Sequence, residues 1–118
     1  MAADDFSGVV AEHKIVIVAG DHQNKPDIGV GIARKWFDED KVDVIADVPN
    51  SGVALAVAAV VKEKDGVYLN SGAASSDLTG RACTPNTVHW TYDTYTLANG
   101  TGKAVVKAGG DKIGRAHV

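Results

Sequence analysis

The chain has 118 residues and a formal net charge of −3, which leaves room for one domain and gives no electrostatic case for a nucleic-acid or anionic-membrane partner. Hydrophobic residues make up 45% and charged residues 23%, an ordinary globular balance. A single cysteine, Cys83, excludes an internal disulfide and reads as a small apolar residue; no apolar run approaches the length of a membrane span.

In chain order, Met1–Phe6 predicts the last turn of a helix, released at Ser7-Gly8 by a glycine C-cap signal. It lacks the basic region and apolar core of an export signal. Val9–His13 reads as a connection, and Lys14-Ile-Val-Ile-Val-Ala19 as a strand by its β-branched content. Gly20–Lys25 is a polar turn. Pro26 suits the first turn of a helix, which runs to about Asp38. Its apolar stripe is Ile28, Ile32, Ala33, Trp36 and Phe37.

Val42–Asp47 predicts a second strand, apolar on both faces and stopped by Pro49. Asn50 and Ser51 are both good N-caps for a helix to Lys64, whose run Gly52–Val61 is apolar all round and belongs inside something. Asp65-Gly66 is a turn and Val67–Asn70 a short third strand. Ser71–His89 has no clear period and reads as a long loop. Tyr92–Ala108 returns to helix, weakened by Gly100 and Gly102 and ended by Gly109-Gly110.

The order β-α-β-α-β-loop-α implies an α/β class, a parallel sheet with helices on both faces in three layers. A parallel sheet gathers its strand carboxyl ends on one edge, where ligands bind in open α/β folds. Asp21-His22-Gln23, Asn50-Ser51 and Ser71–Ser76 meet there. From the residues alone, each has two readings. Asn50 and Ser51 are ligand donors or plain caps, and the loop is a polar rim or a solvated turn. Tyr92, with Trp90 and Tyr95, is a pocket wall or core packing.

Asp47 is a strand-end carboxylate or the phosphorylated aspartate of a receiver domain, a fold that also needs an acidic pair where Asp21 is followed by His22. His13, His22, His89 and His117 show no metal spacing. There is no Gly-x-Ser-x-Gly elbow, and Gly29-Val-Gly31 lies inside a helix, so it is no dinucleotide fingerprint. The reading is therefore of a non-enzyme with no catalytic residue, metal or cofactor.

Four stretches in order resemble one family: Asp21–Asp27, Asp47-Val-Pro-Asn-Ser51, Asn70-Ser-Gly-Ala-Ala-Ser-Ser-Asp-Leu-Thr-Gly80 and Pro85–Asp93. Together they look like the type I periplasmic binding proteins of the leucine/isoleucine/valine-binding family, the solute receptors of ABC importers. The resemblance implies that residues 1–112 are an incomplete N-terminal lobe of a two-lobed periplasmic protein. Its partners would be a small-molecule ligand and a membrane permease. The ligand is an amino acid, branched-chain or related, or another small amide or carboxylate.

By the same resemblance, Asn50 or Ser51 meets the ligand carboxylate. Ala73 offers its backbone and Ser75 its hydroxyl, if one residue is deleted after Ser75. Tyr92 or Asp93 stands for a later contact. Some relatives join the first two loops by a disulfide; the corresponding positions fall near Asn24 and Pro49, so both halves are missing. The family's opening strand, between those matching Lys14–Ala19 and Val42–Asp47, is not in this sequence, so the isolated chain is expected to aggregate. The tail Ile113–Val118 reads as an in-frame translation of a common sequencing adapter, ATC GGA AGA GCA CAC GTC, and is expected to be non-native. The alternative is a complete small flavodoxin-like domain or phospho-receiver using Asp47.

Overall fold

The computed structural model describes residues 2–5, 7–112 and 114. The expected non-native tail therefore lies outside the described residues except at Gly114, as do Met1 and Phe6 of the opening helix. The chain begins with helix α1 (Ala2–Asp5) and a two-residue antiparallel hairpin, β1 (Val9–Val10) with β2 (His13–Lys14). Ala11 and Glu12 turn it with φ of 47° and 68°, the left-handed pair that matches strand twist in a tight hairpin. A hairpin thus replaces the connection read from the sequence.

Ile15–Ala19, expected within a strand, is assigned to no strand and sits in no ladder. β-Branched content favours an extended backbone, yet a strand also needs a neighbour, and beyond the bond from Ile15 N to Gly8 O the described residues supply no ladder partner. Helix α2 (Pro26–Asp38) follows with proline at its start, as expected. It packs on α3 (Ser51–Glu63) at a close crossing: a Cβ on Gly29 would come within 2.4 Å of Val53 Cγ1. Two ion pairs tie their far ends, Arg34 to Glu63 through two 2.7 Å bonds and Lys64 to Asp38 at 2.6 Å.

Three strands form the parallel sheet, in the order β3 (Val44–Ala46), β4 (Val67–Asn70), β5 (Thr87–His89). Registers are Ile45 opposite Tyr68 and Leu69 opposite Val88. β5 lies inside the stretch read as loop. A 3₁₀ turn, Ser76–Leu78, also orders that stretch and buries Leu78. After β5 comes one helical run: α4 (Thr94–Leu97), a π turn (Ala98–Gly102) and α5 (Lys103–Lys107).

Side chains alternate along the sheet. Ile45, Tyr68 and Asn70 are buried under α2 and α3 with Val53, Val57 and Val61. On the opposite face Val44, Val67, Leu69 and Val88 are exposed. The α/β class and parallel sheet are as the sequence implied. Every residue of α4 and α5 is exposed. The radius of gyration is 17.0 Å, against about 13 Å for a compact chain of 100 residues.

Candidate ligand-binding edge

The carboxyl ends of β3, β4 and β5 lead into three turns, and hydrogen bonds sew those turns into one edge. After β3, Asp47 and Val48 both take positive φ, 73° and 64°. For a β-branched valine this is an outlier that surrounding structure must hold. Asn50 then caps α3: its Oδ1 accepts from Val53 N at 3.1 Å. Ser51, the first helical residue, is half-buried, and its hydroxyl has no hydrogen bond among the described residues.

Asn70, fully buried at the end of β4, does the holding. Its Nδ2 donates to the Tyr68 hydroxyl at 2.6 Å, to Asp47 O at 3.2 Å and, more weakly, to Val48 O at 3.4 Å. Its Oδ1 accepts from Ala73 N at 3.1 Å. One amide thereby fixes the strained turn and the next loop together. The Tyr68 hydroxyl in turn donates to Asp47 O, and burial pushes it up to about 12, so it stays protonated and keeps that bond. Gly72 completes the fit: a Cβ there would lie 2.6 Å from Asp47 Oδ1 and 3.0 Å from Pro49.

The third turn joins the second. Trp90 N donates to Asn70 O, Thr91 Oγ1 to Ser71 O, and Thr94 N to Ala74 O at 2.7 Å. The hydroxyls of Ser76 and Thr94 are 2.8 Å apart. Asp93 caps α4, accepting from Thr96 N at 2.7 Å. Hydrogen bonds from Thr96 hold its carboxyl below the ordinary aspartate range.

The sequence-derived candidates now divide by what their polar atoms already do. Ala73 is fully buried, its N–H bound to Asn70 and its carbonyl 2.8 Å from His89 Nε2. Asn50 spends its oxygen and Asp93 its carboxylate on helix caps. Ser75 accepts from Asp77 N at 3.3 Å, which leaves its proton to donate. Ser51 keeps its hydroxyl, and Tyr92 is exposed on the same edge with no hydrogen bond among the described residues. The edge can therefore offer Ser51, Ser75 and Tyr92 hydroxyls and the Asn50 amide N–H groups to an acceptor.

Asp21-His22-Gln23 closes on itself instead: Asp21 accepts from Gln23 N, and His22 Nδ1 from Asn24 N. Sequence reasoning gave no separate role to Asn70, Gly72, His89 and Thr91, although each lies in a stretch that carried the resemblance. A lone polar residue ending an apolar strand, Val67-Tyr-Leu-Asn70, was the available signal. Among the described residues no group of three His, Cys, Asp or Glu is placed to hold a metal ion.

The profile of a family described as periplasmic binding protein matches residues 1–116. The chain belongs to this family. Its members are transport receptors rather than enzymes, and the receiver alternative built on Asp47 falls with that membership. The chain is 48% identical to a periplasmic binding protein of Burkholderia mallei, with a TM-score of 0.86 over 93% of this chain and 29% of that one. It is 33% identical to a branched-chain amino acid ABC transporter periplasmic ligand-binding protein of Burkholderia xenovorans LB400, with a TM-score of 0.81 over 92% of this chain and 29% of that one.

A solute-binding protein of an R. palustris ABC transporter, solved with benzoate, shares the fold at 24% identity and a TM-score of 0.82, over 91% of this chain and 30% of that one. No curated protein matches the binding-protein chain significantly. The chain spans less than a third of the length of these solved relatives.

Proposed function

We propose that this chain is an incomplete N-terminal lobe, residues 1–112, of the substrate-binding component of an ABC importer. The whole protein works in the periplasm, delivering its solute to a membrane permease. The solute is an amino acid, branched-chain or related, or another small carboxylate. The observation that carries this reading is the sewn edge: three turns at the carboxyl ends of parallel strands, with the Ser51 and Ser75 hydroxyls left to donate. Branched-chain amino acid transport is named for the Burkholderia xenovorans relative, and the R. palustris relatives were solved with benzoate and 4-hydroxybenzoate. A carboxylate is common to those chemistries.

In this reading Ser51 and Ser75 donate to the carboxylate, with Asn50 and Tyr92 beside them. Ala73 and Asp93, assigned ligand contacts by the resemblance, shape the site from behind. Charge-assisted bonds of this type contribute about 1.5–3 kcal/mol each. In the complete gene product, calorimetric titration with amino acids and benzoates should find one saturable ligand, and Ser75→Ala should weaken it by about tenfold or more. Unchanged affinity in Ser75→Ala removes that residue from the site; no saturable ligand in the panel removes the substrate class.

A further inference from the structure

The loop after β4 carries three serines, and two of them are spent: Ser71 donates to Asp47 Oδ1 at 3.2 Å, and Ser76 pairs with Thr94 at 2.8 Å. Ser75 keeps its proton, since its oxygen only accepts from Asp77 N at 3.3 Å. The backbone that leads into Ser75 is gripped from β5 and the turn after it. His89 Nε2 meets Ala73 O at 2.8 Å, and Thr94 N donates to Ala74 O at 2.7 Å. From β4, Asn70 Oδ1 holds the Ala73 N–H at 3.1 Å.

His89 ends β5 opposite Asn70, and the two side chains hold one residue, Ala73, by both of its backbone groups. Ala73 has no exposed surface, so water cannot answer its carbonyl in place of the imidazole. A carbonyl only accepts, which puts a proton on Nε2 and, in the neutral ring, leaves Nδ1 bare. Without the imidazole, a buried carbonyl would stand unanswered, a cost that favours turning the backbone toward water. Ser75 lies two residues on, and its side chain has no tie beyond its own turn among the described residues. It moves with that backbone.

We infer that His89 is a positioning residue of the ligand-binding edge: its Nε2–H pins the Ala73 carbonyl and thereby aims the Ser75 hydroxyl at the ligand carboxylate. This rests on the role proposed for Ser75. His89 touches no ligand in this scheme and acts through Ser75 alone. Thr94 cannot take over, because its N–H is committed to Ala74 and its hydroxyl to Ser76. Glutamine could, since it carries an amide N–H at a similar reach and no ring.

The test is a double-mutant cycle in the complete gene product, read as Kd by calorimetric titration with amino acids, leucine first, and with benzoates. His89→Leu should weaken binding of the solute that saturates by about tenfold. In a Ser75→Ala background the same change should cost less than about twofold, because the hydroxyl it aims is gone. His89→Gln should stay within about threefold of the unchanged protein. Without any solute, nitrogen NMR at about pH 8, above the ordinary histidine range, should show the His89 ring protonated at Nε2. Where His89→Leu yields no folded protein, His89→Asn, polar but too short to reach Ala73, takes its place in the cycle.

Additive losses from His89→Leu and Ser75→Ala overturn the proposal, because His89 would then act on binding by a route other than Ser75. So does a loss in His89→Gln as large as in His89→Leu, or a ring protonated at Nδ1 alone. Binding that Ser75→Ala weakens and His89→Leu leaves unchanged overturns this inference and spares the reading of the site. Saturation by none of the solutes, or no loss in Ser75→Ala, overturns that reading and the inference with it.

Discussion

Two apolar runs of this chain meet opposite fates. Gly52–Val61 and Ile15–Ala19 are comparably rich in valine and alanine or isoleucine, and either would pass for buried structure. In α3, Val53, Ala54 and Val61 are wholly covered. In the extended run, Val16 is 73% and Ile17 61% exposed. The difference lies in neighbours. A helix satisfies its own backbone and needs only side-chain cover, which α2 and the sheet provide. A strand needs hydrogen-bonding partners on its flanks as well as cover on its faces; among the described residues the run has one backbone bond, from Ile15 N to Gly8 O, and only partial cover. Apolarity states what a segment requires; the fold decides whether it is met.

The comparison can be broken most severely by placing the same charge in each run. Val61→Asp puts an unpaired carboxylate in the core and should cost on the order of 3–5 kcal/mol, abolishing soluble yield on refolding. Ile17→Asp should stay within about 0.5 kcal/mol and raise soluble yield, because a charge on an open edge discourages pairing with other chains. Equal damage from the two substitutions would show that the extended run is packed after all.

A finer version uses two glycines of α2. Gly29→Ala drives a Cβ to 2.4 Å from Val53 Cγ1 and should lower the urea midpoint through overpacking of about 1–3 kcal/mol. Gly31 has open space, so Gly31→Ala should raise it by up to about 1 kcal/mol. Shifts of the same sign would contradict the helix crossing described here. The Asn50 cap sets the next step: Asn50→Ala should cost about 1 kcal/mol, read as the same midpoint.

The smallest effect is in pH. Side-chain hydrogen bonds from Lys64, Arg34 and Thr96 respectively hold Asp38, Glu63 and Asp93 below their ordinary carboxylate values. Their contribution is complete above the unfolded-state values, roughly pH 4, and is lost as pH falls through the lowered folded ones. The urea midpoint should therefore decline as pH falls below the unfolded-state values, and Glu63→Gln should flatten part of that decline. These groups are exposed, so salt should weaken the effect.

Local chemistry made part of the molecule legible in advance. Pro26 marked the start of α2 and Asn50 the cap of α3. The alternation of strands and helices placed the candidate turns on one sheet edge. Thr87–His89 escaped because three residues carry no period to detect. The ladder expected for Lys14–Ala19 failed because pairing is a property of two segments, and sequence shows one at a time. At the site, residue types were legible but their commitments were not. Nothing in the letters says that Asp93 spends its carboxylate on Thr96, or that both backbone groups of Ala73 are taken. Those assignments follow from how Asn70 and His89 reach across from other turns.

Asn70 also sets how much this position can vary. Its amide answers carbonyls and a phenol at one end and an N–H at the other, with the side chain fully buried. Aspartate has the same outline but would turn an oxygen toward the Asp47 and Val48 carbonyls. Leucine would fill the volume and leave the Ala73 N–H unanswered. Glutamine carries the right group one methylene too far out. The genetic code offers a single side chain that satisfies every neighbour here, so the position is narrow to mutation in a way that neither the exposed β-branched run nor the bare face of the sheet is.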